Sequence, residues 1–175
     1  MIGAIVGDIA GSRFEWHNRK SKQFTFLKGN DESRHPCRFT DDSVMTLAVA
    51  AAILKWREGG DSSYAALSEV AVKSLQAFGR RFPRAGYGGA FRHWLCDEDP
   101  HPYNSWGNGA AMRVSACGWA GRTLDEVKAM SRAVTEVKHN HPEGIKGADV
   151  TAVATFLARA GKSQDESRAV VVSDY

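Results

Sequence analysis

The chain has 175 residues (19.1 kDa), of which 43% are hydrophobic and 25% charged, with a net charge of +3. That balance describes one ordinary globular domain over 1–175 and excludes collagen-like, disulfide-stapled and disordered chains. The charge is too small to point to nucleic acid, and the longest apolar run, Leu47–Leu54, is eight residues, far short of the roughly 20 that span a bilayer.

Taken in chain order, the N-terminus lacks the basic flank of a signal peptide, and Asp8 interrupts its apolar stretch early. Gly3, Gly7 and Gly11 recur every four residues, so a helix here has one bare side. That side serves either close helix packing or the projection of Asp8 and Glu15, two turns apart, toward a ligand. Residues 23–27 are the one short strand candidate. An alanine-rich helix is expected over 43–56. Asp61 or Ser62 can cap a helix whose inner face is Tyr64, Leu67, Ala71, Leu75 and Phe78, with Gly79 as its stop. Thr123-Leu124-Asp125-Glu126 reads as a capping box, followed by a stripe of Leu124, Val127, Met130, Val134 and Val137. Pro142 opens a helix that turns Ala148, Ala152, Phe156 and Ala160 inward and stops at Gly161, and Ser163-Gln164-Asp165-Glu166 starts another. The fold class is therefore all-α. Glycine-, asparagine-, proline- and histidine-rich stretches at 28–41, 79–89 and 97–110 are where a site is expected.

Four constellations carry chemistry. Phe39-Thr40-Asp41-Asp42-Ser43 precedes a helix, where Thr40 or Asp41 can cap and Asp42 can complement the helix dipole. With Asp8 and Glu15 as a second acidic group, the same oxygens suit a hard cation such as Mg²⁺. In Gly107-Asn108-Gly109-Ala110-Ala111-Met112-Arg113 the glycines bare backbone N–H groups to an anion. His139-Asn140-His141-Pro142-Glu143-Gly144 pairs two histidines without a cysteine pair or a His-Glu-x-x-His partner, which favours a polar substrate loop with His141 donating a hydrogen bond over zinc. Cys37, Cys96 and Cys117 form no Cys-x-x-Cys, so reduced thiols and a cytoplasmic location are expected. Arg13, Arg19, Lys20, Lys22, Lys28, Arg34 and Arg38 read as solvated loop charges without a helix-turn-helix, not as a nucleic-acid surface.

Together the four stretches, in this order from residue 2 to about residue 161, resemble the ADP-ribosylglycohydrolase family. The resemblance implies an orthogonal multi-helix bundle with a two-magnesium centre, hydrolysing the glycosidic bond between ADP-ribose and a protein side chain or small acceptor. It implies that Thr40, Asp41 and Asp42 are metal ligands, that Glu15 and Asp41 are catalytic, and that Gly107, Asn108, Gly109, Ala110, Met112 and His141 contact substrate. The family continues to a Gly-Asp-x-Asp-Thr-type segment that supplies further metal ligands, whereas the late acidic residues here are Asp165, Glu166 and Asp174. The chain thus reads as C-terminally truncated. One Mg²⁺ or none is expected in this form, with uncovered apolar surface that favours self-association. An ADP-ribose- or nucleotide-binding module without turnover is the alternative reading.

Overall fold

A computed structural model describes residues 1–16, 20–23, 25–26 and 36–175. Among them the regular structure is helical: α1 Ile2–Gly11, α2 Asp41–Glu58, α3 Tyr64–Arg81, α4 Gly89–Cys96, α5 Ser115–Ala120, α6 Leu124–Thr135, α7 Pro142–Arg159 and α8 Gln164–Asp174. Single 3₁₀ turns follow α1 (Ser12–Phe14) and precede α5 (Ala111–Arg113). The expected all-α class is what forms, and no helix among the described residues is long and apolar enough to cross a membrane.

The core is organised around α2 and α7. α2 buries Met45, Ala48, Val49, Ala52 and Ile53, and α3 answers with Leu67, Ala71 and Leu75. On the far side, Val127, Met130 and Val134 of α6 meet Ala148, Ala152 and Val153 of α7. Each fully buried aliphatic side chain contributes about 1.5–3 kcal/mol, and the alanines among them let backbones approach closely. Serines tie the helices together: Ser74 Oγ donates to the Ala48 carbonyl at 2.7 Å and Ser68 Oγ to that of Ala133 at 2.9 Å.

Thr123 and Ser163 cap as expected, each accepting from a backbone N–H three residues on, and Ser163 with Glu166 closes a full capping box. The cap of α3 is Ser63, not Asp61 or Ser62: Ser63 accepts from the Ala66 N–H, and Asp61 Oδ1 accepts from the Ser63 N–H at 2.8 Å, which turns the chain one residue further before the helix starts. At Thr123 the box is open, because Glu126 accepts instead from the Arg122 N–H at 2.9 Å. Two glycine expectations fail. Gly79 lies inside α3, where a Cβ would meet Leu95 Cδ2 at 2.5 Å. It is glycine because α4 crosses there, not because the helix ends. At Gly3, Gly7 and Gly11 a Cβ would meet nothing within 4 Å among the described residues, so the bare side of α1 packs against no described helix. α1 is peripheral, burying Ala10 and leaving Ile2 80% exposed. The strand expected over 23–27 falls partly outside the described residues (Phe24, Leu27), and Gln23, Thr25 and Phe26 adopt no strand. Arg19, Lys28 and Arg34 also lie outside them.

Candidate functional site

Five segments meet around a cleft of about 450 Å³: the end of the first 3₁₀ turn (Glu15, Trp16), the start of α2 (Asp41, Asp42), the glycine turn into α4 (Gly86 to Phe91), the loop from Tyr103 to Met112, and Lys138-His139. Residues far apart in sequence thus share one concavity.

The acidic wall is held from behind by Asp8. Its Oδ1 accepts from Thr40 Oγ1 at 2.6 Å, and its Oδ2 accepts from the backbone N–H groups of Thr40 at 2.8 Å and Ser43 at 3.2 Å and from Ser43 Oγ. A carboxylate that accepts two backbone N–H groups at a helix N-terminus complements both the orphan donors and the dipole. Asp8 therefore clamps the start of α2 and does not line the cleft. Thr40, buried, is the N-cap and spends its hydroxyl on this clamp. What reaches the cleft from this motif is Asp41 and Asp42.

Asp41 is fixed by its N–H, which donates to the Ala85 carbonyl at 2.9 Å, and by Gly86. Gly86 has φ +115°, and a Cβ there would lie 3.3 Å from Asp41 Oδ1. Burial pushes the Asp41 carboxyl up to about 6, reinforced by the charges of Asp42, Glu15 and Asp8. Asp42 is raised too, by burial and by Asp8, against a lowering hydrogen bond from Thr40. The Tyr87 phenol is held protonated, pushed up to about 12 by burial and by Asp41. Glu15 lies exposed at the cleft edge. Among the described residues no three His, Cys, Asp or Glu side chains converge as a ready metal cage. The donor set still suits a hard cation: Mg²⁺ commonly takes one or two carboxylates and keeps several waters. Two carboxylates made proton-hungry by burial and by neighbouring acids, Asp42 beside Asp41 and Asp8 beside Asp42, gain from a bound cation.

The opposite wall is built on the turn after α6. The Lys138 carbonyl accepts from the Tyr103 N–H at 3.2 Å, Asn140 Oδ1 accepts from the Asn104 N–H, and Gly144 leaves room for the Ser105 carbonyl, 2.8 Å from where its Cβ would be. These contacts fix the path of 103–109. Gly107, Asn108, Gly109 and Met112 line the cleft, whereas Ala110 is buried in the core. His141 is placed elsewhere: it is the N-cap of α7, its Nδ1 accepting from the Glu143 N–H at 3.2 Å, with its ring 6.4 Å from that of Trp106. The histidine that lines the cleft is His139.

The sequence pattern marks His139 only as one of a histidine pair and gives Lys138 no role. Both are buried, at 5% and 0% exposure. Burial, Lys138 and Arg113 push His139 down to about 3, so the imidazole is neutral. Lys138 is lowered to about 7 by burial and by Arg113, with Asp41 opposing. The Lys138 ammonium lies 4.5 Å from the Phe91 ring centroid and 5.0 Å from that of Tyr103. The only signal in the sequence is a lysine beside the paired histidines. Nothing in one dimension tells which of 138–141 turns inward.

A family model described as ADP-ribosylglycohydrolase matches residues 1–174. The chain is 27% identical to ADP-ribosylhydrolase ARH3 of Xenopus tropicalis over 186 residues, covering 95% of this chain and 51% of that protein. It is 28% identical to the Mus musculus protein and 27% identical to the Homo sapiens protein of the same name, each over 192 residues covering 95% of this chain and 50% of the relative. The chain spans about half the length of the curated relatives it matches.

Proposed function

The chain belongs to the ADP-ribosylglycohydrolase family, and on that premise we propose that it hydrolyses the bond between the anomeric carbon of ADP-ribose and an acceptor, with a divalent cation held by Asp41 and Asp42. The observation that carries the reading is the two-walled cleft: Glu15, Asp41 and Asp42 on one side, the 107–109 loop with Lys138 and His139 on the other. Matched relatives are ADP-ribosylhydrolases, which agrees with a cleft lined by acidic and basic side chains.

The chemistry suits these residue types. Breaking a glycosidic bond builds positive charge on the ring and its anomeric carbon, and carboxylates nearby stabilise it. In this reading Glu15, exposed at the cleft edge with Asp41, orients a water and accepts its proton as the water attacks; the acceptor leaves with the bond's electron pair and is protonated from solvent. A bound Mg²⁺ supplies Lewis acidity and orients hydroxyl groups or water. Asp41 and Asp42 would hold it, Thr40 and Asp8 position those two carboxylates, and Gly107 and Gly109 let backbone N–H groups come close to the anionic part of the substrate.

Incubation of the full chain with ADP-ribosylated peptides and Mg²⁺, with ADP-ribose release followed by chromatography, tests this. Release that falls at least 10²-fold in Glu15→Gln, within the range ordinarily lost with a general base, is the expected result. Binding of ADP-ribose with no release from any acceptor would replace hydrolysis by a binding-module role.

A further inference from the structure

We propose that Lys138 is the specificity-determining cation of this cleft: its ammonium binds a phosphoryl oxygen of the substrate beside the 107–109 loop, selecting phosphorylated ribosides over plain ones and fixing which way they lie. The inference rests on the ADP-ribose reading for the substrate, but its geometry is independent of it.

Lys138 is no ordinary surface lysine. It is 5% exposed yet lines the cleft. Phe91 and Tyr103 hold its ammonium against their ring faces at 4.5 and 5.0 Å, which fixes its place without giving it a counter-charge. Among the described residues no carboxylate lies within ion-pair distance of it. Its nearest polar neighbour is His139 Nε2 at 3.4 Å, on an imidazole held neutral by burial. If Nε2 accepts from the ammonium, the ring proton sits on Nδ1, which has no partner among the described residues. Arg113 is fully buried nearby, with Nη2 donating to the Val134 carbonyl at 3.1 Å and Nε and Nη1 without a partner. Its charge acts on both Lys138 and His139. Two cations thus share a buried region without a paired acid, an arrangement that a bound anion completes.

The space for that anion is at Gly109. A Cβ there would sit 3.5 Å from Lys138 Nζ and 3.5 Å from His139 Cε1, so Gly109 borders both side chains and leaves to an incoming atom the place a methyl would fill. The same turn offers its backbone N–H groups to a phosphoryl oxygen. An anion is repelled from Asp41, Asp42 and Glu15 on the facing wall. Phosphate at Lys138 therefore leaves the ribose, and the bond to be cut, toward the carboxylates.

Calorimetry of the full chain and of Lys138→Met with inorganic pyrophosphate, ADP-ribose and adenosine tests the proposal. Methionine keeps an unbranched stem between the two rings. Pyrophosphate and ADP-ribose are expected to weaken by about 10- to 100-fold, the range for a lost charge-assisted hydrogen bond, with adenosine unchanged and Lys138→Arg restoring part of the loss. Affinities of Lys138→Met within twofold of the native protein, or an equal loss for adenosine, would overturn it. Should Lys138→Met fold poorly, the native chain still decides: pyrophosphate is expected to protect Lys138 from acetylation by limiting acetic anhydride, and absence of protection refutes the contact. Lys138-dependent pyrophosphate binding without preference for ADP-ribose keeps this inference and removes the ADP-ribose reading. ADP-ribose binding unaffected by Lys138→Met does the reverse.

Discussion

Removing the Asp8 carboxylate separates a clamp from a metal ligand. In Asp8→Ala the N–H groups of Thr40 and Ser43 lose their acceptor at the first turn of α2, while the Thr40 and Ser43 hydroxyls can rotate to other partners. A part-buried N–H deprived of a charged acceptor costs about 1.5–2.5 kcal/mol, so about 3–5 kcal/mol is expected. That is a large share of the 5–15 kcal/mol typical of a domain. Asp8→Asn keeps an oxygen for the two backbone donors and loses mainly the charge, so about 1–2 kcal/mol is expected, near the usual cost of a lost cap. Urea unfolding followed by circular dichroism reads both values, and hydrogen exchange is expected to rise first in α1, which Asp8 ties to α2. Mg²⁺ affinity in Asp8→Asn should stay within a few-fold of the native value. Loss of metal binding as severe as in Asp42→Ala, or an Asp8→Ala stability within 1 kcal/mol of the native chain, would refute the clamp.

Asp41→Ala and Asp42→Ala are each expected to weaken Mg²⁺ at least tenfold by calorimetry, since each removes an anionic oxygen. Gly86→Ala combines a left-handed φ of +115° with a methyl 3.3 Å from Asp41 Oδ1. It should cost about 1–3 kcal/mol in thermal unfolding and disturb Mg²⁺ binding with it. Lys138 supplies a pH signature. Its folded-state pKa is lowered from 10.5 to about 7 by burial and by Arg113, with Asp41 opposing. Between those values the unfolded chain binds more protons, so stability rises with pH, by at most about 1.4 kcal/mol per unit. Urea titrations at pH 7 and 9 should show that increment shrink in Lys138→Met; an unchanged increment would mean that Lys138 is solvated.

Several helices were readable because their caps and stripes are local. Thr123 and Ser163 sit where a capping residue must sit, and Leu124, Val127, Met130 and Val134 repeat at helical spacing. Of the site, the acidic motif and the glycine loop were readable as motifs, and the fold brings them to one cleft. What stayed hidden depends on contacts distant in sequence. Gly79 looks like a helix stop until Leu95 of α4 is placed against it, and α4 itself is too short to show a stripe. Asp8 and Glu15 share a spacing that suggests a common face, yet the chain turns after Gly11, so that one clamps α2 and the other edges the cleft. His141 carries the more exposed ring of its motif, but it caps α7, and the inward side chains are Lys138 and His139.

The most direct test of the account is where ADP-ribose binds. Backbone amide shifts of the full chain, recorded by NMR during a titration with ADP-ribose and Mg²⁺, should move at Asp41, Asp42, Gly107, Asn108, Gly109 and Lys138 together, from both walls at once. A second cavity, of about 430 Å³ between Arg132, Glu143 and Asp149, provides the internal contrast. Shifts confined to that cavity, or to one wall of the cleft with the other silent, would contradict the claim that the cleft is a single site for ADP-ribose.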